Sequence, residues 1–426
     1  MRKILLFFLI FMETAFSMDL DTLINQALKN SPYITEKRID LKIGKVTVEK
    51  SKKKKFGQID LFGSFNRYED PRILYPISTP VNIHNLTGAE NQIIAGISYT
   101  VPIFTGFKIK RSVQISKISK KIKEIDLSLT EQMVVFNIRS VYLKILSLEK
   151  QLISAKAYRT SLEKLKNDIQ EAVNLGRKPE MDLFKVQYRI EDINYKIKKI
   201  QNSIKTLKSA VKTLVGDQGI DLSNLEDIKP TKEIILDRDF YVKKIKTLKR
   251  IKKIDLTKEI SRQKMLTVKG EYLPEIYFKA SAQRNMGNSQ YKDLWQIGIL
   301  INYRLFDFGV RKNRYIQSKL DLRKKSILKE KAELELIKEI DEAINRIKTY
   351  QAKIKASEKK LKYARSVEEA EKAKYEEGVS DLYNYLYAKA ERFSALAEYY
   401  DSVYNREIAI FYLKYLLEEQ RYGQNN

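Results

Sequence analysis

Glu368, Glu369 and Glu371 lie in the segment Val367-Glu368-Glu369-Ala370-Glu371, two to three helical turns before Gly378. Glu368 and Glu371 are three residues apart, which on a helix puts both carboxylates on one face. Such a pair can attract and bind cations. It can also form an ordinary solvated pair with Lys372, four residues after Glu368, worth about 0.3–0.5 kcal/mol. Other chemistry is thin. The chain has no cysteine, which excludes disulfides, thiolate metal sites and lipid anchoring through an N-terminal Cys. Its single histidine, His84, argues against a histidine metal cluster or triad, and seven Met in 426 residues argue against a methionine-rich metal site. There is no phosphate loop, metal-spaced His/Cys set or nucleophile elbow. The reading is no enzyme, no cofactor and no metal site.

The elements that carry these carboxylates follow one plan. The strand segment Gln92 to Val101 runs through Pro102-Ile103-Phe104-Thr105-Gly106 into a stretch, 107–175, with neither Gly nor Pro. At 1.5 Å per residue that helix spans about 100 Å. Apolar residues recur at Ile115, Ile118, Ile122, Ile125 and Leu129, slip frame, and resume at Ile138, Val141, Ile145, Leu148 and Leu152. This is coiled-coil spacing with stutters. A shift of 202 positions lays Gly96 on Gly298, Phe104 on Phe306, Ser116-Lys117 on Ser318-Lys319 and Gly176 on Gly378. Landmarks that match at both ends of an unbroken helix mark a tandem duplication.

The duplication divides the chain. Residues 1–17 resemble an export signal: Arg2-Lys3, an apolar run from Ile4 to Met12, then Ala15-Phe16-Ser17 with small residues where cleavage needs them. That run is too short to span hydrocarbon. The first repeat covers 18–215, with strands at 58–68 and 92–104, the long helix at 107–175 and a return helix at 180–215. A linker at 216–239 follows. The second repeat covers 240–419, with a helix, strands at 275–284 and 294–306, a long helix at 310–377 and a return helix at 381–419. A short tail occupies 420–426. Net charge is +27, yet the lysines are spread along the helices among Glu and Asp, so a solvated surface is favoured over nucleic-acid binding.

All four strands alternate. Ile59, Leu61, Gly63 and Phe65 oppose Asp60, Ser64 and Asn66, while Ile93, Ala95, Ile97, Tyr99 and Val101 oppose Gln92, Gly96, Ser98 and Thr100. Strands of this length with one apolar face suit an outer membrane. An open sheet edge in hydrocarbon leaves backbone groups unpaired, so several copies must contribute to one closed barrel. Phe56, Phe104, Tyr272, Trp295 and Phe306, at or beside strand ends, are expected at the membrane–water interface.

The chain resembles the TolC family of outer-membrane efflux channels over essentially its full mature length. The matches are Ala27-Leu28-Lys29-Asn30-Ser31-Pro32, Tyr272-Leu273-Pro274 before a strand, and the corners Pro102-Ile103-Phe104-Thr105-Gly106 and Leu305-Phe306-Asp307-Phe308-Gly309. Gly176 with Asp182, and Gly378 with Asn384 and Ala388, match the helical reversals. The resemblance implies a mainly α fold with a small membrane β-part: a homotrimer with a 12-stranded β-barrel in outer-membrane lipid, continued by a 12-helix α-barrel through the periplasm. It implies a passive exit duct of a tripartite efflux or type I secretion system. A periplasmic adaptor (membrane fusion) protein and an inner-membrane pump of RND, ABC or MFS type would be its partners. Leu175, Gly176, Gly378, Val379 and Ser380 would form the periplasmic tip that meets the adaptor, and Glu368, Glu369 and Glu371 a pore constriction. Threefold copies of those carboxylates would repel each other and raise their pKa values. The first reversal departs from the family pattern with Arg177-Lys178-Pro179. The alternative is an exported periplasmic coiled-coil scaffold without channel activity, which leaves the four amphipathic strands unexplained.

Overall fold

A computed structural model describes residues 18–77, 79–81, 86–232 and 234–420. The signal segment 1–17, His84 and residues 421–426 of the tail lie outside them. Helices α1 (Leu20–Asn30) and α2 (Pro32–Lys53) lead into strands β1 (Gln58–Ile73) and β2 (Gly88–Thr105). Helices α3 (Lys108–Asn174) and α4 (Glu180–Val215) complete the first repeat. The second has α5 (Arg238–Lys244), α6 (Lys249–Gly270), β3 (Glu275–Gly287), β4 (Gln290–Asn302), α7 (Val310–Glu376) and α8 (Leu382–Leu416). The long helices α3 and α7 have 67 residues each, and both their ends keep the 202-residue offset. The chain packs as two units, one of residues 39–126 and 250–332 and one from the described parts of 1–38, 127–249 and 333–426.

The first unit holds an antiparallel sheet of order β1-β2-β3-β4. Its register puts Leu61, Ile97, Ala282 and Trp295 on one rung, and Ile59, Tyr99, Ala280 and Ile297 on the next but one. Directly opposed residues share a face, so these rungs build one apolar surface. Rungs of the other parity, such as Asp60, Ser98, Ser281 and Gln296, build a polar one. On that polar face Gly96 is obligatory for space: a Cβ there would meet the Phe62 ring at 2.8 Å and Ala282 O at 2.6 Å. Cross-helix ion pairs Lys123–Asp40 (3.1 Å), Lys253–Asp126 (2.6 Å) and Lys329–Asp255 (2.8 Å) link the neighbouring helix ends. Each is half exposed and contributes about 0–1 kcal/mol.

Strand bounds differ from the sequence reading. β1 and β2 extend beyond 58–68 and 92–104 into the proline-bearing segment, because β1 is an edge strand and tolerates Pro71 near the register shift between Arg67 and Arg72. β4 occupies Gln290–Asn302 rather than 294–306. The cause is a two-residue hairpin turn, Asn288-Ser289, with both φ values positive (50° and 60°), as a type I′ turn requires.

Each strand-to-long-helix corner uses two consecutive left-handed residues. They are Gly106 (φ 59°) and Phe107 (φ 65°) in the first repeat, Phe308 (φ 52°) and Gly309 (φ 89°) in the second. The offset is kept while glycine and phenylalanine exchange places. Asp307 secures the second corner by accepting from Arg311 Nε at 2.8 Å and from its backbone N at 3.1 Å.

The other unit is helical. Its larger core packs Leu23, Ile24 and Ala27 of α1 against Val134, Ile138, Tyr142 and Ile145 of α3 and Val211 and Val215 of α4. The expected linker 216–239 is docked onto this core. Ile220 and Leu222 are buried, Tyr142 Oη lies 2.6 Å from Glu226 O, and the buried Glu407 accepts from Thr231 N and Oγ1 at 3.1 and 2.7 Å. The basic helix expected to open the second repeat is broken at Leu248, whose backbone is extended and whose side chain is buried. The Glu418 carboxylate caps the restart at Lys249 N at 2.8 Å.

Candidate functional site

Two regions carry the residues singled out from the sequence: the sheet and the helix reversals. The apolar sheet face is open. Leu61 is 87% exposed, Trp295 80%, Ile59 67% and Ile299 66%, values that no packed core permits. Among the described residues no helix is long and apolar enough to cross a membrane. Of the interface aromatics, Phe56 follows α2 and its carbonyl accepts from Tyr99 Oη at 3.0 Å. Phe104 packs edge-on against Phe107, and Phe306 against Phe308, with centroids 5.3 and 4.8 Å apart. Tyr272 lies under the Arg311 guanidinium, 4.9 Å from its centroid. Trp295 differs from expectation: it sits inside β4, not at its end, because the tight hairpin begins that strand earlier. Phe306, placed at a strand end by the sequence, lies past β4 in the corner.

At the first reversal Leu175 is exposed and Gly176 is left-handed (φ 67°). Arg177 N donates to Ala172 O at 2.8 Å and Gly176 N to Val173 O at 2.9 Å, so the last carbonyls of α3 are satisfied. The second reversal repeats this with Gly378 (φ 77°) and Val379 N donating to Lys374 O at 2.8 Å. Nothing lies within 4 Å of where a Cβ would stand on either glycine, so φ alone demands glycine there. Val379 is 76% exposed. Ser380 Oγ donates to Glu371 Oε2 at 2.8 Å, and Asp381 caps α8 by accepting from Asn384 N at 2.9 Å.

The three carboxylates have different surroundings. Glu368 pairs across the hairpin with Arg392 of α8, not with Lys372, which faces Glu376 at 3.6 Å. Glu371 accepts from Lys374 Nζ at 2.8 Å as well as from Ser380. Those bonds, Lys374 first, hold its carboxyl below the usual carboxylate range within the single chain. Glu369 is exposed, with no ion-pair partner among the described residues.

Sequence reasoning missed a buried polar cluster beside them. Tyr158 stacks on Phe393, Tyr375 on Tyr385, and Lys389 Nζ donates to Tyr385 Oη at 2.9 Å. Burial pushes the Tyr158 hydroxyl up to about 12, raises Tyr385 and lowers Lys389. The signal was present in the sequence: Lys389 continues the spacing of Leu382, Tyr385 and Leu386, all buried, and so falls on the apolar stripe of α8.

Residues 254–417 match the outer membrane efflux protein family. That stretch resembles an outer membrane efflux protein domain. Solved outer membrane proteins share the fold over most of the chain. The CmeC outer membrane channel of Campylobacter jejuni aligns over 96% of this chain and 87% of its own at 15% identity and a TM-score of 0.80. The outer membrane protein VceC of Vibrio cholerae aligns over 94% and 96%, at 15% identity and 0.76. The MtrE outer membrane channel of Neisseria gonorrhoeae aligns over 95% and 91%, at 13% and 0.75. No curated protein sequence matches the chain. The efflux-domain match and the shared fold place the chain in the outer membrane with a periplasmic extension, as the TolC-family resemblance implied.

Proposed function

We propose that the protein is the exit duct of a tripartite efflux or type I secretion system, passively conducting substrate delivered by an inner-membrane pump and a periplasmic adaptor. The observation that carries this reading is the sheet: an exposed apolar face on strands whose two outer members, β1 and β4, have no strand partner on one side among the described residues. Apolar exposure of that kind needs lipid, and edges in lipid need further strands. Three copies would supply twelve strands, enough to close a barrel with the polar rungs facing its lumen. The exposed Gly176 and Gly378 reversals would form the periplasmic tip, with Leu175, Val379 and Ser380 meeting the adaptor.

The constriction proposal centres on Glu368, Glu369 and Glu371 repeated about the threefold axis. Within one chain Glu368 already holds Arg392 of α8 and Glu371 holds Lys374 of its own helix, which leaves Glu369 as the carboxylate most available to a pore. Light scattering of the detergent-extracted protein is expected to give a trimer; a stable, water-soluble monomer would overturn the duct reading. Single-channel recordings of the trimer are expected to show cation selectivity and divalent block. Both should fall in Glu369→Gln and in the Glu368→Gln/Glu371→Gln double variant. Unchanged recordings with trimers intact would put these residues outside the pore.

A further inference from the structure

In the helical unit, a cavity of about 500 Å³ lies between the reversal ends of the two hairpins. Its lining includes Lys164 of α3, Lys178 of the first reversal, Lys372 and Tyr375 of α7, and Tyr385 and Lys389 of α8. We propose that it binds a phosphate-bearing anion.

The charges are poorly balanced. Lys372 has a partner in Glu376 at 3.6 Å. Among the described residues Lys164, Lys178 and Lys389 have no carboxylate within ion-pair distance. Lys389 is only 7% exposed, and among the described residues its one hydrogen bond is to the Tyr385 hydroxyl. The nearby Glu368 is taken by Arg392. A buried ammonium with a single neutral partner is expensive, because burial costs the charged form its hydration. An anion entering the cavity would restore that lost solvation. Asp168 and Glu376 also line the cavity, but they leave positive charge in excess.

The donors match an oxyanion better than a halide. Lys178 Nζ donates to Tyr375 Oη as Lys389 donates to Tyr385 Oη, so each hydroxyl accepts from an ammonium and keeps its own proton for an incoming oxygen. The two phenol rings stack with centroids 5.5 Å apart, which brings these donors together from two helices and a turn. Ammonium and phenol donors converging from separate directions suit a group with several charged oxygens, and charge-assisted bonds to it are short and strong. The volume falls within the range of small-molecule sites and leaves room for an organic body beyond the phosphate. A bound anion would tie α3, the first reversal, α7 and α8 together. This inference does not depend on the duct reading, since it concerns one chain's own cavity.

The test uses the full chain in detergent with inorganic phosphate as the probe, titrated against chloride at equal ionic strength. The wild-type protein is expected to show a saturable upward shift of its unfolding midpoint and a saturable calorimetric binding signal. Lys389→Met, which keeps the packing of the stem, and Lys178→Met, at a half-buried turn position whose loss leaves the core intact, are each expected to bind roughly tenfold more weakly. Lys205→Met, far along α4, should bind as wild type. Absence of a saturable signal in the wild type, or binding as tight as wild type in both cavity variants, overturns the proposal.

Discussion

The two helix reversals occupy equivalent positions in the repeats and solve the same backbone problem in the same way. Gly176 and Gly378 are both left-handed, both crowd nothing, and both let the following amides satisfy the last carbonyls of a long helix. Their side chains have diverged completely. At the 202-residue offset Lys178 stands where Ser380 does, Pro179 where Asp381 does, and Ile169 where Glu371 does. The second reversal is therefore self-contained: Ser380 reaches back to Glu371 of its own helix, and Asp381 caps the next. The first reaches out, with Lys178 donating to Tyr375 of the other hairpin, and its return helix starts at Pro179 with no side-chain cap. Duplication has preserved the turn's geometry and released its surface.

The largest test of that difference is functional. Val379→Trp is expected to abolish export while trimers survive, and Leu175→Trp to weaken it less, because the first reversal also carries a contact within its own chain through Lys178. Equal loss in an export assay would make the two surfaces equivalent, and loss of trimer would point to folding instead. Next in size, Gly176→Val and Gly378→Val should each lose about 1–2 kcal/mol, the cost of a left-handed backbone at a residue bearing a Cβ. Because neither site is crowded, the losses should agree in denaturant unfolding; a clear inequality would show that one turn carries strain the other lacks. Smaller still, Asp381→Ala should cost about 1 kcal/mol for the lost cap. Pro179→Ala, with no cap bond to lose, should stay within about 0.5 kcal/mol. The smallest effect is in pH. Glu371 has its folded pKa lowered, so its stabilisation is present above the ordinary carboxylate range and lost as pH falls through the depressed value. Protease nicking at the second reversal should rise at acid pH, and Glu371→Gln should remove that dependence. The first reversal, with Ile169 in that place, should show none.

The repeat, the long helices and the strand faces were legible because each is a periodic or punctuated pattern. A Gly- and Pro-free run between two left-handed glycines has few alternatives to a helix, and alternation with period two fixes which face is apolar. The hairpin turn was harder. Asn288-Ser289 adopts a conformation that Asn-Gly would have announced, and the missing glycine hid where β4 begins and so misplaced Trp295. The pairing of Glu368 was hidden for another reason. Its partner Arg392 lies on the return helix, 24 residues away, and spacing along one helix reports only on neighbours three and four residues apart. The docked segment 216–239 looked like a linker because most of it carries no helix or strand periodicity. Its anchors, Ile220, Leu222 and Thr231, act through contacts that no local pattern encodes.

The unpaired outer edges of β1 and β4 have a genetic consequence. A chain that cannot finish its own sheet shares its fate with the copies beside it. In the proposed three-chain ring, a cell making equal amounts of normal and edge-defective chains would assemble wholly normal rings only about one time in eight. Edge substitutions should therefore behave as dominant alleles, while substitutions confined to one chain's own cavity should be recessive.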